Sequence, residues 1–259
     1  MAVVLNATWI AKPGQEELVR EALEHLSPAS RTEEGNLYYQ AYQDPAEPLT
    51  FRIFEIYTDD DAVKAHAEYD HFKKWALGQA IPALALLAGG IGDAQVRNMG
   101  TIGGSVANAD PAADYPAALL GLGATVHTDK RTIAADGFFK GLYETALAPG
   151  ELITAVQFPR PAKAGYMKFR QPASRFALVG VFVSQGAGGV RVAVTGAKAS
   201  AYRDAALEAA LARSFTPAAA QAVKVSADGM NADLHASAEY RAAMVSVMAA
   251  RAVAAANGG

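Results

Sequence analysis

Alternating and helically spaced apolar positions divide the chain into segments of different texture. From Val3 to Ile10 the residues are mostly apolar and β-branched, which predicts a strand, and Lys12-Pro13-Gly14 breaks it. Leu18, Ala22, Leu23 and Leu26 then recur at helical spacing behind Glu16 and Glu17, predicting a helix that Pro28 closes. Leu37 to Gln43 and Thr50 to Tyr57 read as two strands around the turn Asp44-Pro45-Ala46-Glu47-Pro48 and should pair as a hairpin. Asp59 to Asp61 cap a second helix on which Val63, His66, Ala67, Asp70, His71 and Trp75 lie close together. The order β-α-β-β-α predicts a ferredoxin-like module over residues 1–86, with two helices on one face of a short sheet. The other face wants a partner, and a homodimer is expected.

Past Leu86 the texture turns rich in glycine and alanine, with Gly89-Gly90-Ile91-Gly92 opening it and Gly100, Gly103 and Gly104 following. Such a shift marks a domain boundary. Asp114 to Leu122 reads as a short helix, and Thr125 to Thr128 and Leu152 to Phe158 as strands. Phe176 to Ser184 and Val190 to Thr195 form a second predicted hairpin around Gln185 to Gly189. Helices are predicted over Tyr202 to Arg213 and Ser237 to Ala255, the latter with Tyr240, Met244, Val247, Met248 and Arg251 along one face. The fold class is therefore α+β, without an internal repeat.

Composition narrows the chemistry. Of 259 residues, 51% are hydrophobic and 19% charged, a balance that folds rather than staying disordered. Cysteine is absent, which removes disulfides, thiolate nucleophiles, cysteine-bound zinc and protein-held iron–sulfur clusters. Redox work then needs a borrowed cofactor. A net charge of −3 gives no reason to expect nucleic acid or an anionic membrane as partner. No long apolar run and no basic-then-apolar leader is visible, so a cytoplasmic location is expected.

The string Gln95-Val96-Arg97-Asn98-Met99-Gly100-Thr101-Ile102-Gly103-Gly104-Ser105 is the most informative stretch, followed by Asn108 and Asp110-Pro111-Ala112-Ala113-Asp114. Adjacent glycines let the backbone approach a bulky anion and turn N–H groups toward it, while Thr101 and Ser105 add hydroxyls. A pyrophosphate fits such a cradle. Asp114 is suited to accept from ribityl, ribose or ring donors. A glycine pair beside a threonine also reads as a plain turn.

Ile91-Gly92-Asp93 through Asp114 closely resembles the second flavin-binding segment of the medium, FAD-carrying subunit of the carbon monoxide dehydrogenase and xanthine dehydrogenase family. Phe138-Phe139-Lys140-Gly141-Leu142-Tyr143-Glu144-Thr145, Gly150-Glu151-Leu152-Ile153, Lys168-Phe169-Arg170, Phe176-Ala177-Leu178-Val179-Gly180 and the tail Asp233 to Arg241 are similar to its later blocks. The resemblance implies a PCMH-type FAD-binding subdomain over 87–160 and an α+β C-terminal flavoprotein domain over 161–259. It also implies electron relay through FAD, with molybdopterin and iron–sulfur centres on partner subunits. Carried across, Thr101, Ile102, Gly103, Gly104 and Ser105 wrap the pyrophosphate. Asn108 and Asp114 meet the ribityl or adenosine side, and Ile153 and Arg170 lie near the flavin ring. Family members open with another flavin-binding subdomain, so that FAD lies between two halves. Here Ala88-Gly89-Gly90 abuts the second segment directly, the FAD-binding domain is truncated, and FAD is expected to be weakly held or lost. A non-catalytic fusion serving assembly is the corresponding alternative.

The first module resembles the antibiotic biosynthesis monooxygenase family. The carriers are Ala11-Lys12-Pro13-Gly14, Glu34-Gly35 with Tyr38, Phe54-Glu55-Ile56-Tyr57, Ala65-His66 and Asp70-His71-Phe72. Some members oxygenate phenols or quinols without metal or flavin. By that resemblance Asn6, His66 and Trp75 are placed at a pocket, His66 as proton acceptor; the alternative is that the histidines serve packing. His66 and His71 lie five apart rather than one turn, so no metal site is expected.

Overall fold

Strict alternation makes β1 (Val3–Ile10) a strand with one half-buried and one exposed face. With β2 (Asn36–Gln43) and β3 (Thr50–Tyr57) it forms an antiparallel sheet of order β1-β3-β2. Helices α1 (Glu16–Ser30) and α2 (Asp60–Glu68), the latter capped by Asp59, cover one face. Under them lie Leu23, Tyr39, Phe51 and Ile53. The structure, a computed structural model, describes residues 2–11, 13–69, 80–92 and 94–258. Asp70, His71 and Trp75 lie outside the described residues. Helix α1 runs past Pro28 to Ser30, because a proline in the last turn forfeits a single backbone bond. Leu18, expected in its apolar stripe, is exposed.

Two compact units divide between Gln79 and Ala80. The boundary expected after Leu86 falls inside helix α3 (Pro82–Gly89), which buries Ala83, Leu84 and Leu87 within the second unit. Ala88-Gly89-Gly90 is accordingly the end of a helix. Short helices α4 (Ala94–Met99) and α5 (Ile102–Asn108) follow, then α6 (Asp114–Leu122), buried along nearly its whole length.

A small antiparallel sheet of order β5-β4-β8 is built from β4 (Thr125–Thr128), β5 (Thr132–Ala134) and β8 (Ile153–Gln157). A ribbon of β6 (Phe139–Gly141) and β7 (Glu144–Thr145) lies between β5 and β8 in sequence. The main sheet, β12-β11-β10-β9, comprises β9 (Lys163–Arg170), β10 (Ala177–Gly186), β11 (Gly189–Thr195) and β12 (Tyr202–Arg203). Asp204 caps α7 (Ala205–Arg213), so the helix expected from Tyr202 begins three residues later. After α8 (Pro217–Gln221) comes α9 (Ala238–Ala256), capped by Ser237.

The main sheet is buried on both faces, with α6 packed on one and α9 on the other. Phe182 and Ser184 point to α6, where Ser184 Oγ donates to the Gly121 carbonyl at 2.6 Å. Val179, Val181 and Val183 point to α9. The buried face of α9 is Arg241, Ala242, Val245, Met248, Ala249, Ala252 and Val253; of the expected stripe Met248 lies in it, Met244 and Val247 pack at its margin, and Tyr240 and Arg251 are exposed. Its alanines lie so close to Gly165 that a side chain there would meet the Ala252 carbonyl. Close approach, rather than bulk, selects the face.

Candidate functional site

Thr101 is the N-cap of α5. Its hydroxyl accepts from Gly104 N at 3.0 Å and its carbonyl from Ser105 N at 3.0 Å. The glycine stretch expected as a loop is therefore the first turn of a helix, whose leading N–H groups have no acceptor within the helix. Thr101 and Gly104 are exposed, and Ile102, Gly103 and Ser105 half-buried. The two glycines differ in their causes. A side chain at Gly104 would come to 3.0 Å from Thr101 Oγ1, so the cap itself favours glycine. At Gly103 an added Cβ would meet nothing nearer than Ile153 Cγ2 at 3.9 Å, an ordinary contact. Packing does not demand glycine there, although glycine inside a helix costs about 1 kcal/mol against alanine. The turn thus leaves room over Gly103 for a phosphate group to approach, and in this the residues fit FAD. Asn108 is exposed at the far end of α5.

The segment leading to Asp114 is sewn to the main sheet. Gly196 N donates to the Pro111 carbonyl at 2.7 Å, and Thr195 Oγ1 lies 2.8 and 2.7 Å from the Pro111 and Ala113 carbonyls. Asp114, expected to meet the ribityl or adenosine side, is buried instead. Its Oδ1 accepts from the Tyr166 hydroxyl and its Oδ2 from Lys168 Nζ at 2.7 Å. Burial raises its pKa against the opposing pull of Lys168, and burial with Asp114 alongside holds the Tyr166 phenol well above its ordinary value, as a donor. Each Asp114 oxygen thus has a donor within the chain, and β9 fixes the carboxylate in place.

Tyr166 is not singled out by the sequence, and Lys168 stands there only within the Lys168-Phe169-Arg170 block, with no role of its own. The available signal was alternation: Tyr166, Lys168 and Arg170 occupy every second position of β9 and share its α6-facing side. Lys168 also donates to the Gly90 carbonyl at 3.0 Å. Arg170 is exposed beside the same glycine, its Nη2 3.5 Å from where a Cβ would stand. Ile153 meets Gly103 at the start of β8. The turn before it is fixed by Glu151, which accepts from Arg131 Nε (2.9 Å) and Nη2 (3.0 Å), Thr128 Oγ1 (2.7 Å) and Ala148 N (2.7 Å). Those bonds, the one from Arg131 foremost, lower its pKa to about 2.

In the first unit His66 Nδ1 lies 2.8 and 2.9 Å from the two Glu33 oxygens, and its Nε2 lies 4.0 Å from Glu55 Oε2. Tyr57 donates to that same Glu55 oxygen at 2.8 Å, and burial raises the phenol's pKa. All four are buried. Glu55 and Tyr57 share the helix-covered face of β3. Asn6 is exposed on the opposite face of the sheet, in register with Phe54. Asn6 and His66 therefore do not line one pocket, which corrects the expected grouping; Trp75 lies outside the described residues. Among the described residues no group of three metal-ligating side chains could hold an ion, and no helix is long and apolar enough to cross a membrane.

A ferredoxin-like unit followed by a flavin-type unit with a glycine-bearing capped helix is the class these features define. The FAD binding domain family of molybdopterin dehydrogenases matches residues 53–161, and the antibiotic biosynthesis monooxygenase family residues 1–76. The two overlap over 53–76, which the structure gives to the first unit, where β3 is the central strand. The solved carbon monoxide dehydrogenase of Hydrogenophaga pseudoflava superposes with a TM-score of 0.61 at 37% identity, covering 70% of this chain and 69% of that one. The nicotine 6-hydroxylase medium subunit of Paenarthrobacter nicotinovorans is 38% identical over 132 residues, 47% of each chain. The Bacillus subtilis protein YcnE is 35% identical over 71 residues, 27% of this chain and 75% of YcnE. The match spans half or less of the length of the curated medium-chain relatives. The chain belongs to the carbon monoxide dehydrogenase type of medium chain, with the FAD-binding domain of the molybdopterin dehydrogenases and an antibiotic biosynthesis monooxygenase domain ahead of it.

Proposed function

We propose that the second unit binds FAD and serves as the electron-carrying medium chain of a molybdenum-hydroxylase-type oxidoreductase, while the first unit assembles homodimers. Gly103 carries the reading: it is a helical glycine that no packing contact among the described residues requires. The leading N–H groups of α5 would hold the pyrophosphate, helped by the Ser105 hydroxyl, while the Thr101 hydroxyl caps the turn. Ile153 would present an apolar surface to the ring, and Arg170 a cation beside it. Bound FAD would supply the step between two-electron and one-electron transfer. A chain without cysteine cannot ligate iron–sulfur clusters through thiolates, so these would reside with the molybdopterin on partner subunits. Heat-released flavin from the purified protein tests the assignment: FAD in the supernatant is expected, and protein that carries no flavin even after incubation with FAD contradicts it.

A second reading is favoured by the His66 cluster. Glu33 fixes one imidazole nitrogen, the arrangement by which a carboxylate orients a histidine for proton transfer. In this reading His66 takes the proton of a phenol or quinol whose own electrons reduce dioxygen. Oxygen uptake with quinols that disappears in His66→Ala and falls at least tenfold in Glu33→Gln supports it; no uptake by the unaltered protein sinks it.

A further inference from the structure

We propose that Lys168 is a positioning residue for the flavin site, acting by pinning both ends of the segment that carries the glycine helix. The proposal rests on the FAD reading but makes a claim of its own about segment order.

The Lys168 side chain is 3% exposed, and its ammonium sits between two oxygens from distant parts of the sequence. One is the Gly90 carbonyl, where α3 ends; the other is Asp114 Oδ2, where α6 begins. Everything between them, including Thr101 to Ser105, is a connection closed at both ends by the same charged group. Tyr166, two residues earlier on the same strand face, holds the other Asp114 oxygen. Room for that hydroxyl comes from Gly180: a side chain there would come within 2.5 Å of it.

A buried ammonium is costly to desolvate and persists where its partners are fixed. Here each partner lies at the edge of a packed element, and Lys168 supplies the direct tie between the two. Leu84 and Leu87 bury α3 against the unit, and the bonds from Thr195 and Gly196 hold Pro111 to Ala113. The ammonium joins two anchored points across a segment of short helices, and closing such a segment lowers the entropy left to be lost when a ligand orders it. Lys168 would thus raise FAD affinity without touching FAD.

The test uses the full chain and two readouts. FAD dissociation constants from fluorescence quenching should rise roughly tenfold in Lys168→Met, the size expected when a site loses preorganisation worth one well-ordered contact. Amide hydrogen exchange without FAD should speed up over residues 94–108 while staying unchanged in α9. The double variant Lys168→Met/Asp114→Asn should match the single variant in both readouts, and it replaces it if an unpaired Asp114 prevents folding. Val245→Ala, a core change in α9, serves as the control: lower melting temperature with FAD affinity and exchange at 94–108 unchanged. Exchange that stays at the parent's rate in Lys168→Met, or an equal affinity loss in Val245→Ala, overturns the proposal. If the unaltered chain binds no FAD, the flavin reading fails on that result, while exchange still decides whether Lys168 orders the segment.

Discussion

Gly103 and Asp114 show how far single residues were legible. The glycine pair stands out in the sequence as a cradle or a plain turn, yet a sequence cannot tell which glycine is explained by the chain itself. Thr101 accounts for Gly104, and only Gly103 is left over. Asp114 was assigned to the cofactor because an ionised carboxylate in a glycine-rich region seeks donors; Tyr166 and Lys168, on a strand more than fifty residues later, satisfy it first. Their alternation was present in Lys163 to Arg170, but nothing local told which apolar surface that strand would meet. Gly103→Ala separates fold from function. The structure has space for the methyl group, so stability should rise by up to about 1 kcal/mol from helix propensity. FAD affinity should fall at least tenfold, because the methyl would stand where the proposed phosphate site lies. Urea denaturation paired with flavin titration checks both halves, and a variant that binds FAD as the parent does removes Gly103 from the site.

At the scale of elements, strongly patterned pieces were foreseen and short, composite ones were not. The three strands of the first unit, both strands of the second hairpin and the final helix follow from period and punctuation. Helices α3, α4 and α5 do not, because each is short and rich in small residues, and tertiary packing and a cap settle their form. The turn before β8 is likewise held by a single side chain. Glu151 has its pKa lowered to about 2 from an ordinary value of 4.5, so it binds protons more weakly folded than unfolded. Its stabilising effect is therefore complete above about pH 4.5 and lost as pH falls toward 2. Glu151→Gln should lower the urea midpoint of the second unit at neutral pH and flatten its decline between pH 4.5 and 2. An unchanged slope in that window would show that Glu151 does not anchor the turn.

The whole molecule is two compact units whose division falls at Gln79/Ala80, some seven residues before the composition shift that suggested it. Glycine content changes only at the end of α3, whereas the core of the second unit already includes Leu84 and Leu87. The open face of the first sheet carries Val4, Ile10, Tyr38 and Tyr42 as exposed apolar groups, with Tyr38 packed edge-on against Phe54. Such a face is suited to burial against a second copy. Light scattering should report twice the 27.0 kDa chain mass, and Ile10→Glu should return the protein to monomer with its circular dichroism unchanged. A monomeric parent would remove the dimer.

The proposed role of the second unit turns on FAD binding at the α5 helix. Titrating the flavin-free chain with FAD while following fluorescence quenching tests it directly. Saturable one-to-one binding in the micromolar range, lost on Gly103→Val, is the predicted result. Quenching that stays linear to millimolar FAD, the same with and without that substitution, would contradict it.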